Sequence, residues 1–360
     1  MKVSEVKKIA QNELGVRLKK VRRLTQEASQ REYFKLESWT SNNKVLCYLN
    51  PNSGNHKKTI KIYNGFKKSG FENFPEIYSH KSDLGITIQE YIPFNLYDLY
   101  GLSKNKFEEI FLVRLLKNTS TKDFKNMLFK SGIKSALTVL SDMQSHNISK
   151  LVKLKESDLK KQMMTFKCVY LDKFLKIPQE ISSTQDNNIE QLINVTIKNL
   201  KSQPWVNCHT DYEGRNLLIE PAPGSTISFY ELFVIDYQDM IIGPIGIDIA
   251  GIIFDHYYFR SFTKEITLNA INEAYSYNKE KLTANDLYEF ARWGAIQRNM
   301  RILGTLSNLY VENRRKFRLP DLEGILLNLI EIIPNEHKEL KSFMSNVVLS
   351  ENKKRCKKIL

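Results

Sequence analysis

The sequence predicts an α+β fold of two lobes, a small β-rich lobe followed by a larger helical one. With 360 residues, the chain exceeds the size at which a single hydrophobic core keeps growing. Strand patterns are concentrated in residues 1–92, whereas helical periodicity dominates from residue 95 onward. We therefore place the boundary near residue 92, assign residues 93–350 to the helical lobe and treat residues 351–360 as a basic tail.

The first lobe is predicted to be an antiparallel sheet that carries one helix. Runs of aromatic and branched residues, separated by turn residues, are typical of strands. These strands are expected at 31–38, 44–49, 75–78 and 85–90. Residues 57–68 instead place Ile60, Tyr63 and Phe66 at helical spacing, and Gly70 follows as a stop signal.

Long apolar periodicities predict that the second lobe is mostly helical. Helices are expected at about 104–117, 123–146, 156–176, 187–201, 247–259, 264–278, 284–310, 321–333 and 336–348. Within this lobe, short apolar runs from Val206 to Asp236 predict two strands joined by a loop at residues 221–225.

The composition argues against several classes of protein. Hydrophobic residues make up 42% of the chain and charged residues 26%, which is typical of a globular protein with a sizeable core. The most apolar stretch, residues 240–254, is interrupted by Asp248, so we expect no membrane span. Charged residues at the start of the chain argue against a secretion signal. The four cysteines lie far apart, which argues against disulfides or a zinc site and favours a cytoplasmic protein.

The net charge of +14 would suit a polyanionic partner, but its distribution argues against a specific one. Lysines are scattered along the polar stretches, and the only basic run is residues 353–358. Such a run is usually a solvated face of the protein. We therefore expect a monomer with no specific nucleic-acid partner.

The densest polar cluster is residues 209–216, which an apolar run follows at once. It places Asp211 two residues after His209 and Asn216 five residues after Asp211, the spacing of a kinase catalytic loop. Asp211 can accept the proton of an attacking hydroxyl, while the amide oxygen of Asn216 can bind Mg²⁺. His209 is the second catalytic candidate, and positioning of the loop is the more common role of such a histidine.

A second motif follows at the end of the next apolar strand. Asp236 ends the run 233–236 and is predicted to be the second metal ligand. Gly243 and Pro244 then precede Asp248 at the start of a helix. Asp248 can cap this helix or brace the catalytic loop.

Taken together, residues 209–250 resemble the aminoglycoside phosphotransferase and choline kinase superfamily, whose fold is protein-kinase-like and bilobal. The resemblance implies that the chain uses Mg²⁺ and transfers the γ-phosphoryl group of ATP to the hydroxyl of a small molecule. It also implies that the adenine bonds to the backbone near Gln89, Glu90 and Tyr91.

Three separated segments narrow the resemblance to the cell-wall kinases that phosphorylate the anomeric hydroxyl of N-acetylmuramate and N-acetylglucosamine. The segments are residues 28–34, 234–255 and 293–304. This resemblance implies a sugar 1-phosphate product that feeds peptidoglycan recycling. The predicted substrate contacts are Glu213, Arg215, Asp239, Asp255, Gln297 and Arg298.

Two departures from most kinases affect the predicted nucleotide site. The predicted third strand, residues 44–49, has no lysine in its middle to hold the α and β phosphates, and the anomeric kinases tend to lack it too. The first hairpin has no glycine between residues 21 and 36, so the glycine-rich phosphate cradle is missing. The backbone amides of Ala28 and Ser29, with Arg31 nearby, are predicted to take its place.

Several alternatives stay open from the sequence. The acceptor can be an aminoglycoside or choline. Because the lysine and the glycines are missing, the chain can also be a kinase-like module that binds a nucleotide without turnover. Metal-dependent hydrolysis would use His209, Asp211 and Asp236 as ligands, and the positive charge leaves room for a nucleic-acid binder.

Overall fold

The computed structural model describes residues 1–24, 31–52, 56–113, 119–149, 151–222, 229–258, 263–276 and 281–360. Its strands are β1 (Leu18–Arg23), β2 (Glu32–Ser38), β3 (Lys44–Tyr48), β4 (Ile77–Lys81), β5 (Ile86–Glu90), β6 (Phe94–Asn95), β7 (Trp205–Cys208), β8 (Leu217–Pro221), β9 (Tyr230–Val234) and β10 (Ile241–Pro244). Its helices are α1 (Val3–Leu14), α2 (His56–Lys68), α3 (Leu96–Gly101), α4 (Lys104–Phe111), α5 (Thr121–Ser145), α6 (Glu156–Thr165), α7 (Gln179–Ser182), α8 (Asp186–Lys201), α9 (Gly246–Ile253), α10 (Lys264–Ala274), α11 (Ala284–Asn313), α12 (Asp321–Ile332), α13 (Lys338–Phe343) and α14 (Leu349–Ile359). No helix within these ranges combines the length and the apolar character that crossing a bilayer requires.

The chain forms two compact units, which we call the first unit and the second unit. The first unit comprises Met1–Phe129, His146–Ser149 and Gly214–Asp239, and the second comprises Lys130–Ser145, Lys150–Glu213 and Met240–Leu360. The first contains a five-stranded antiparallel sheet, and the second is mostly helical, which confirms the predicted α+β class. The predicted lobe boundary near residue 92 stays a prediction.

The five-stranded sheet has the order β1-β2-β3-β5-β4, and all its neighbouring strands are antiparallel. Because side chains alternate along each strand, one face of the sheet is apolar and buried. That face consists of Phe34, Leu36, Leu46, Ile86 and Ile88, which pack with Val6 and Ala10 of α1. The opposite face carries a row of side chains that are paired in register across four strands, namely Tyr33, Cys47, Thr87 and His80.

Helix α1 is an element that the sequence pattern does not predict. Val3, Val6, Ile9, Ala10 and Leu14 follow helical spacing, but only Val6 and Ala10 are fully buried, and polar or charged residues occupy most of the other positions. Both buried residues have no exposed surface. The helix therefore contributes to the core of the sheet through one narrow stripe.

Two contacts fix the chain segment that follows β9. The ring of Tyr237 stacks on the buried Phe74, with ring centroids 4.0 Å apart. On the other side, the backbone N–H of Val234 donates to the backbone oxygen of Asn73 at 2.7 Å. Asp236 lies in the chain between these two anchors, so the segment that carries it is held at both ends.

The three-stranded sheet of the first unit, in the order β6-β8-β9, brings two predicted metal ligands to one end of a hairpin. Leu217 of β8 pairs with Val234 of β9. One residue outward, the N–H of Ile235 donates to the backbone oxygen of Asn216 at 3.0 Å. Asn216 and Asp236 therefore leave the paired strands at the same end.

In the second unit, glycines allow helix α9 to approach its neighbours closely. A Cβ atom on Gly294 of α11 would lie 2.2 Å from the backbone oxygen of Gly246 in α9. A Cβ atom on Gly251 of α9 would lie 1.9 Å from the backbone oxygen of Tyr212. Helix α9 thus packs directly against both α11 and the loop that follows β7.

Most predicted helices of the second lobe are present. Helices α5, α8, α10, α11 and α12 match their predicted ranges to within a few residues at each end. Helix α4 ends early because Leu112 adopts a left-handed φ of 52°, and α9 ends at Ile253 rather than at residue 259. The predicted helix at 156–176 continues from α6 as a π-helical segment, Phe166–Leu175. The predicted helix ends at residues 117, 259 and 278 lie outside the described residues.

The basic run near the end of the chain is part of a helix. Helix α14 extends well beyond residue 348, where the sequence pattern predicts the last helix to end. Its Asn352 is buried and accepts a hydrogen bond from the hydroxyl of Tyr170 at 3.0 Å. The lysines of this run are exposed, as a solvated face requires.

We expect Gly294→Ala to lower the free energy of unfolding by about 3 kcal/mol, because the new methyl group would overlap backbone atoms of α9 that cannot rotate away. Urea denaturation followed by circular dichroism measures this change. Gly101→Ala is the matched control, since a Cβ atom there has no neighbour within 4 Å. It should alter the free energy of unfolding by no more than about 1 kcal/mol. Equal stabilities of the two variants would contradict the close packing.

Candidate active site

The loop that follows β7 is held by a carboxylate from helix α9. Asp248 accepts hydrogen bonds from the backbone N–H groups of His209 at 2.6 Å and Thr210 at 2.8 Å. Thr210 has a φ of 72°, a left-handed conformation that residues with a branched side chain rarely adopt. The buried Asp248 thus stabilises a costly backbone conformation directly before Asp211. Of its two predicted roles, the contacts match bracing of the loop.

Burial sets the pKa of Asp248. Removal from water raises this pKa from 3.8 to about 6 and outweighs the contacts with His209 and Thr210, which lower it. The nearby Asp211 carboxylate adds to the increase. At neutral pH the Asp248 carboxylate is therefore ionised, and two backbone donors compensate its charge.

Arg301 of α11 is a further contact of this loop, and the sequence analysis does not single it out. Its Nη2 atom donates to the backbone oxygen of Thr210 at 3.0 Å and lies 3.9 Å from Oδ1 of Asp211. The side chain of Asp211 is 43% exposed, so a ligand can reach its carboxylate. A signal for Arg301 was present, because it follows Gln297 by four residues and helical spacing places both on one face.

His209 is buried beneath the loop that contains Asp211. The residue is 1% exposed, and its Nδ1 atom accepts the backbone N–H of Asp211 at 3.3 Å. This hydrogen bond orients the loop, which agrees with the positioning role that is common for such a histidine. A direct part of His209 in catalysis stays a prediction.

Two of the predicted substrate contacts form an ion pair inside the second unit. Glu213 and Arg298 contact each other through Oε2 and Nη2, and their side chains are only 3% and 2% exposed. A charged side chain that is removed from water to this extent strongly destabilises the fold unless it forms an ion pair with an opposite charge. The pair therefore has a structural function, and contact of either residue with a substrate stays a prediction.

Two further predicted substrate contacts of the second unit also have partners within it. Gln297 donates to Oε1 of Gln162 at 2.8 Å, and Gln297 is 2% exposed. Oδ1 of Asp255 accepts the backbone N–H of Tyr257 at 2.9 Å. Their contact with a substrate is likewise untested.

In the first unit, Asn216 and Asp236 lie at the same end of the β8–β9 hairpin. Asp236 has a left-handed φ of 65°, and its side chain is 38% exposed. Its Oδ1 atom accepts from Nη1 of Arg31 at 2.9 Å and from Nε2 of Gln238 at 2.9 Å. One carboxylate and one amide oxygen are donors that Mg²⁺ prefers, so the pair fits the predicted metal. The described part of the chain contains no cluster of three or more His, Cys, Asp or Glu side chains suited to a metal ion.

A cleft opens on the polar face of the five-stranded sheet, within the first unit. Its lining is Arg31, Tyr33, Cys47, Leu49, Thr59, His80, Gly85, Thr87, Gln89, Ile235, Asp236, Tyr237 and Gln238. Burial raises the pKa of the Cys47 thiol to about 11 and the pKa of the Tyr33 phenol well above its usual value. Both groups are therefore uncharged at neutral pH.

The other predicted contacts of the first unit have varied surroundings. Asp239 accepts from Nζ of Lys58 in α2 at 3.2 Å, and both side chains are substantially exposed. The guanidinium of Arg215 lies over the ring of Tyr97, 5.8 Å from its centroid. Neither arrangement excludes a ligand, and their predicted roles are untested.

The predicted nucleotide contacts are described only in part. Gln89 lines the cleft, and Glu90 ends the same strand, β5. The ring of Tyr91 lies beneath the ammonium group of Lys35, 4.1 Å from the ring centroid. The predicted phosphate contacts Ala28 and Ser29 lie outside the described residues.

Comparison with known sequences gives one partial match. No family model matches the sequence. One curated protein, the N-acetylmuramate/N-acetylglucosamine kinase of Neisseria meningitidis serogroup B, is 23% identical over 169 residues. These residues are 46% of this chain and 48% of that protein, so the chain spans about half the length of the curated relative it matches.

Comparison with solved structures gives matches along nearly the whole chain. The choline kinase LicA from Streptococcus pneumoniae matches with a TM-score of 0.57 at 12% identity, covering 91% of this chain and 99% of its own. A spectinomycin phosphotransferase in complex with ADP and spectinomycin matches with a TM-score of 0.57 at 15% identity, covering 96% and 99%. An ethanolamine kinase of Plasmodium vivax matches with a TM-score of 0.56 at 11% identity, and the match covers 91% of this chain and 84% of that kinase. The chain has a protein-kinase-like fold.

These matches confirm the predicted protein-kinase-like fold. Within this fold, the predicted site residues form two groups. The second unit holds Asp211 and His209 on a loop that Asp248 braces, and the first unit holds Asn216 and Asp236 at one hairpin end.

We expect Asp248→Asn to remove a pH dependence of stability. Because folding raises the pKa of Asp248 to about 6, the folded protein retains a proton between pH 4 and 6 that the unfolded chain releases. The free energy of unfolding should therefore fall by about 3 kcal/mol, relative to the Asn variant, as the pH rises through this range, and the difference should then stay constant.

Urea denaturation of both proteins at several pH values tests this expectation. Asp83→Asn, the same change of side chain at an exposed position, is the matched control. A pH-independent difference for Asp248→Asn would show that the carboxylate does not titrate as a buried group.

For the buried ion pair, we expect Arg298→Met to lower the free energy of unfolding by about 3–5 kcal/mol, because it leaves the Glu213 carboxylate buried without a cation. The double variant Glu213→Gln with Arg298→Met should cost less than the sum of the single changes. Denaturation of the four proteins measures this coupling. Lys160→Met, which breaks the exposed pair with Glu190, should cost less than about 1 kcal/mol. Additive and equally small costs would argue that Glu213 and Arg298 act on a ligand instead.

Proposed function

We propose that the chain is an ATP-dependent kinase that phosphorylates the anomeric hydroxyl of an amino sugar, N-acetylmuramate or N-acetylglucosamine. The observation that carries the proposal is the hairpin end that holds both Asn216 and Asp236. Asn216 follows Asp211 by five residues in the chain, and Asp211 lies on the loop that Asp248 braces. A carboxylate for the acceptor, with an amide and a carboxylate for the metal, is the residue set that phosphoryl transfer uses.

The cleft of the first unit is proposed to bind the nucleotide. Its strand face offers apolar and uncharged polar side chains, and its edge carries Asp236 beside the cation of Arg31. The adenine would bond to the backbone near Gln89, Glu90 and Tyr91. The spectinomycin phosphotransferase with the same fold was solved with ADP, which supports a nucleotide as one ligand.

The proposed chemistry assigns the proton transfer to Asp211. Its carboxylate accepts the proton of the sugar hydroxyl, and the sugar oxygen forms a bond to the γ-phosphorus of ATP. The bond from that phosphorus to the oxygen that bridges it to the β-phosphorus breaks at the same time, so ADP and a sugar 1-phosphate are the products. Asp211 then releases its proton to water.

Residues around Asp211 are proposed to keep its carboxylate ready for this step. Both neighbours hold the backbone of Thr210: Arg301 donates to its oxygen, and Asp248 accepts from its N–H. Mg²⁺ bound by Asn216 and Asp236 would neutralise negative charge on the phosphates. A loop fixed in this way loses little freedom when the substrate binds.

The amino-sugar acceptor has narrower support than the phosphoryl transfer. It rests on three segments of resemblance in the sequence and on the partial match to a kinase whose name includes both sugars. We place such an enzyme in the cytoplasm as a monomer, where its product would enter cell-wall recycling. Choline and aminoglycosides are the competing acceptors, because structures with the same fold are named for such substrates.

We expect the purified protein to convert Mg-ATP to ADP when N-acetylmuramate or N-acetylglucosamine is present, and far more slowly with choline or spectinomycin. ³¹P NMR should identify a sugar 1-phosphate as the product. Asp211→Asn and Asp236→Asn should each lower kcat by about a thousandfold, because one removes the proton acceptor and the other a metal ligand. Chelation of Mg²⁺ should abolish turnover.

Glu109→Gln is the control for these variants. Glu109 is exposed on α4, and its described ion pair is with Lys106, one helical turn away. It should retain full activity. Turnover of choline alone would refute the amino-sugar acceptor and keep the kinase. Nucleotide binding with no ADP above background for any acceptor would favour a non-catalytic module, and full activity of Asp211→Asn would refute the assigned chemistry.

A further inference from the structure

The centre of strand β3, where most kinases carry a lysine, has no charge in this protein. Cys47 occupies this position, and it pairs in register with Tyr33 of β2 and Thr87 of β5. All three residues line the cleft. Burial keeps the thiol protonated at neutral pH, since its pKa is about 11. The residue of β3 that lines the cleft therefore offers no charge that could neutralise a nucleotide phosphate, and Lys44, at the start of the strand, lies over the ring of Tyr78 instead.

A cation from the neighbouring strand occupies the same cleft. Arg31 directly precedes β2, and its side chain is 17% exposed. Its Nη1 atom lies 2.9 Å from Oδ1 of Asp236. Among the described residues that line the cleft, Arg31 is the single lysine or arginine.

Other cations near the site are engaged elsewhere. Lys58 of α2 contacts the exposed Asp239 at 3.2 Å and is not part of the cleft lining as described. Lys35 of β2 lies over the ring of Tyr91. Arg31 thus lines the cleft as described, whereas Lys58 and Lys35 do not.

We propose that Arg31 replaces the missing strand lysine as the cation that holds the nucleotide phosphates, and that Asp236 keeps it in the cleft until a nucleotide binds. This inference rests on the proposed function. The guanidinium can donate two parallel hydrogen bonds to phosphate oxygens, which a single ammonium group cannot do in the same plane. Binding of phosphate would also draw Arg31 away from Oδ1 of Asp236 and so remove one of the two hydrogen bonds that this proposed metal-binding oxygen accepts.

Equilibrium binding of Mg-ADP, measured by calorimetry in the absence of any acceptor, tests this role without turnover. Arg31→Met should raise the Kd for Mg-ADP about thirtyfold, which corresponds to loss of one charge-assisted contact of about 2 kcal/mol. Arg31→Lys should raise it by only a few fold, because the charge remains and the paired hydrogen bonds are lost. Arg23→Met is the matched control, since Arg23 lies on β1 with its side chain 50% exposed and paired with Glu32. Its Kd should match that of the original protein.

A relocated charge provides the sharper test. Cys47→Lys in the Arg31→Met background places an ammonium group at the centre of β3, one strand away. We expect it to recover at least a tenfold improvement in Kd over Arg31→Met alone. The same Cys47→Lys change with Arg31 intact should gain little, because the phosphates are already neutralised.

The outcomes separate this inference from the proposed function. If the original protein binds Mg-ADP and a folded Arg31→Met variant binds it within twofold of the original, Arg31 is not the phosphate cation, although the kinase proposal survives. Loss of binding in Arg31→Met without any recovery by Cys47→Lys would also overturn the replacement. If the original protein binds no Mg-ADP, both proposals fall together.

Discussion

The buried carboxylate of Asp248 is the constraint that organises the second unit around its site. It makes a left-handed Thr210 stable by accepting two consecutive backbone N–H groups, and it can do so only because α9 lies directly beneath the loop. That approach depends in turn on Gly251 and Gly294, where any side chain would meet backbone atoms. The conformation of the loop that carries Asp211 therefore depends jointly on helix packing, on a strained backbone at Thr210 and on the buried charge of Asp248.

Among the described residues of the first unit, no comparably buried carboxylate positions the predicted metal ligands. Strand pairing places Asn216 and Asp236, and the stacked rings of Phe74 and Tyr237 hold the segment beyond β9. Electrostatic attraction then adds Arg31 to Asp236 across the cleft edge. Residues from the start of β2 and the end of β9 thus meet although 205 positions separate them in the chain. Strands β2 and β9 belong to different sheets, so this contact follows from tertiary packing within the first unit and cannot be deduced from a local sequence pattern.

Sequence reasoning succeeded where a pattern is strong and local. The fold class, the long helices and strands β2, β3 and β5 follow from periodicity, and the spacing of Asp211 to Asn216 predicts a catalytic loop, whereas strand β1 (Leu18–Arg23) was not predicted. It failed where tertiary contacts decide. Helix α1 fully buries only Val6 and Ala10, and its place in the core depends on packing against the sheet. The contact of Arg301 depends likewise on the backbone oxygen that lies opposite it in the folded chain. The partnership of Arg298 with a residue 85 positions away could not be deduced at all.

The uncharged thiol at the centre of β3 has a practical consequence for chemical probes. A ligand of the proposed nucleotide cleft that carries a cysteine-reactive group would meet Cys47 in the cleft wall, on the strand where most kinases have a lysine. With a pKa of about 11, only about one thiol in ten thousand is a thiolate at pH 7. Covalent modification would then depend on how long the ligand stays bound beside the sulfur. Such a reagent would modify Cys47 only when its bound lifetime is long, and collisions of unbound reagent with this thiol would seldom lead to reaction.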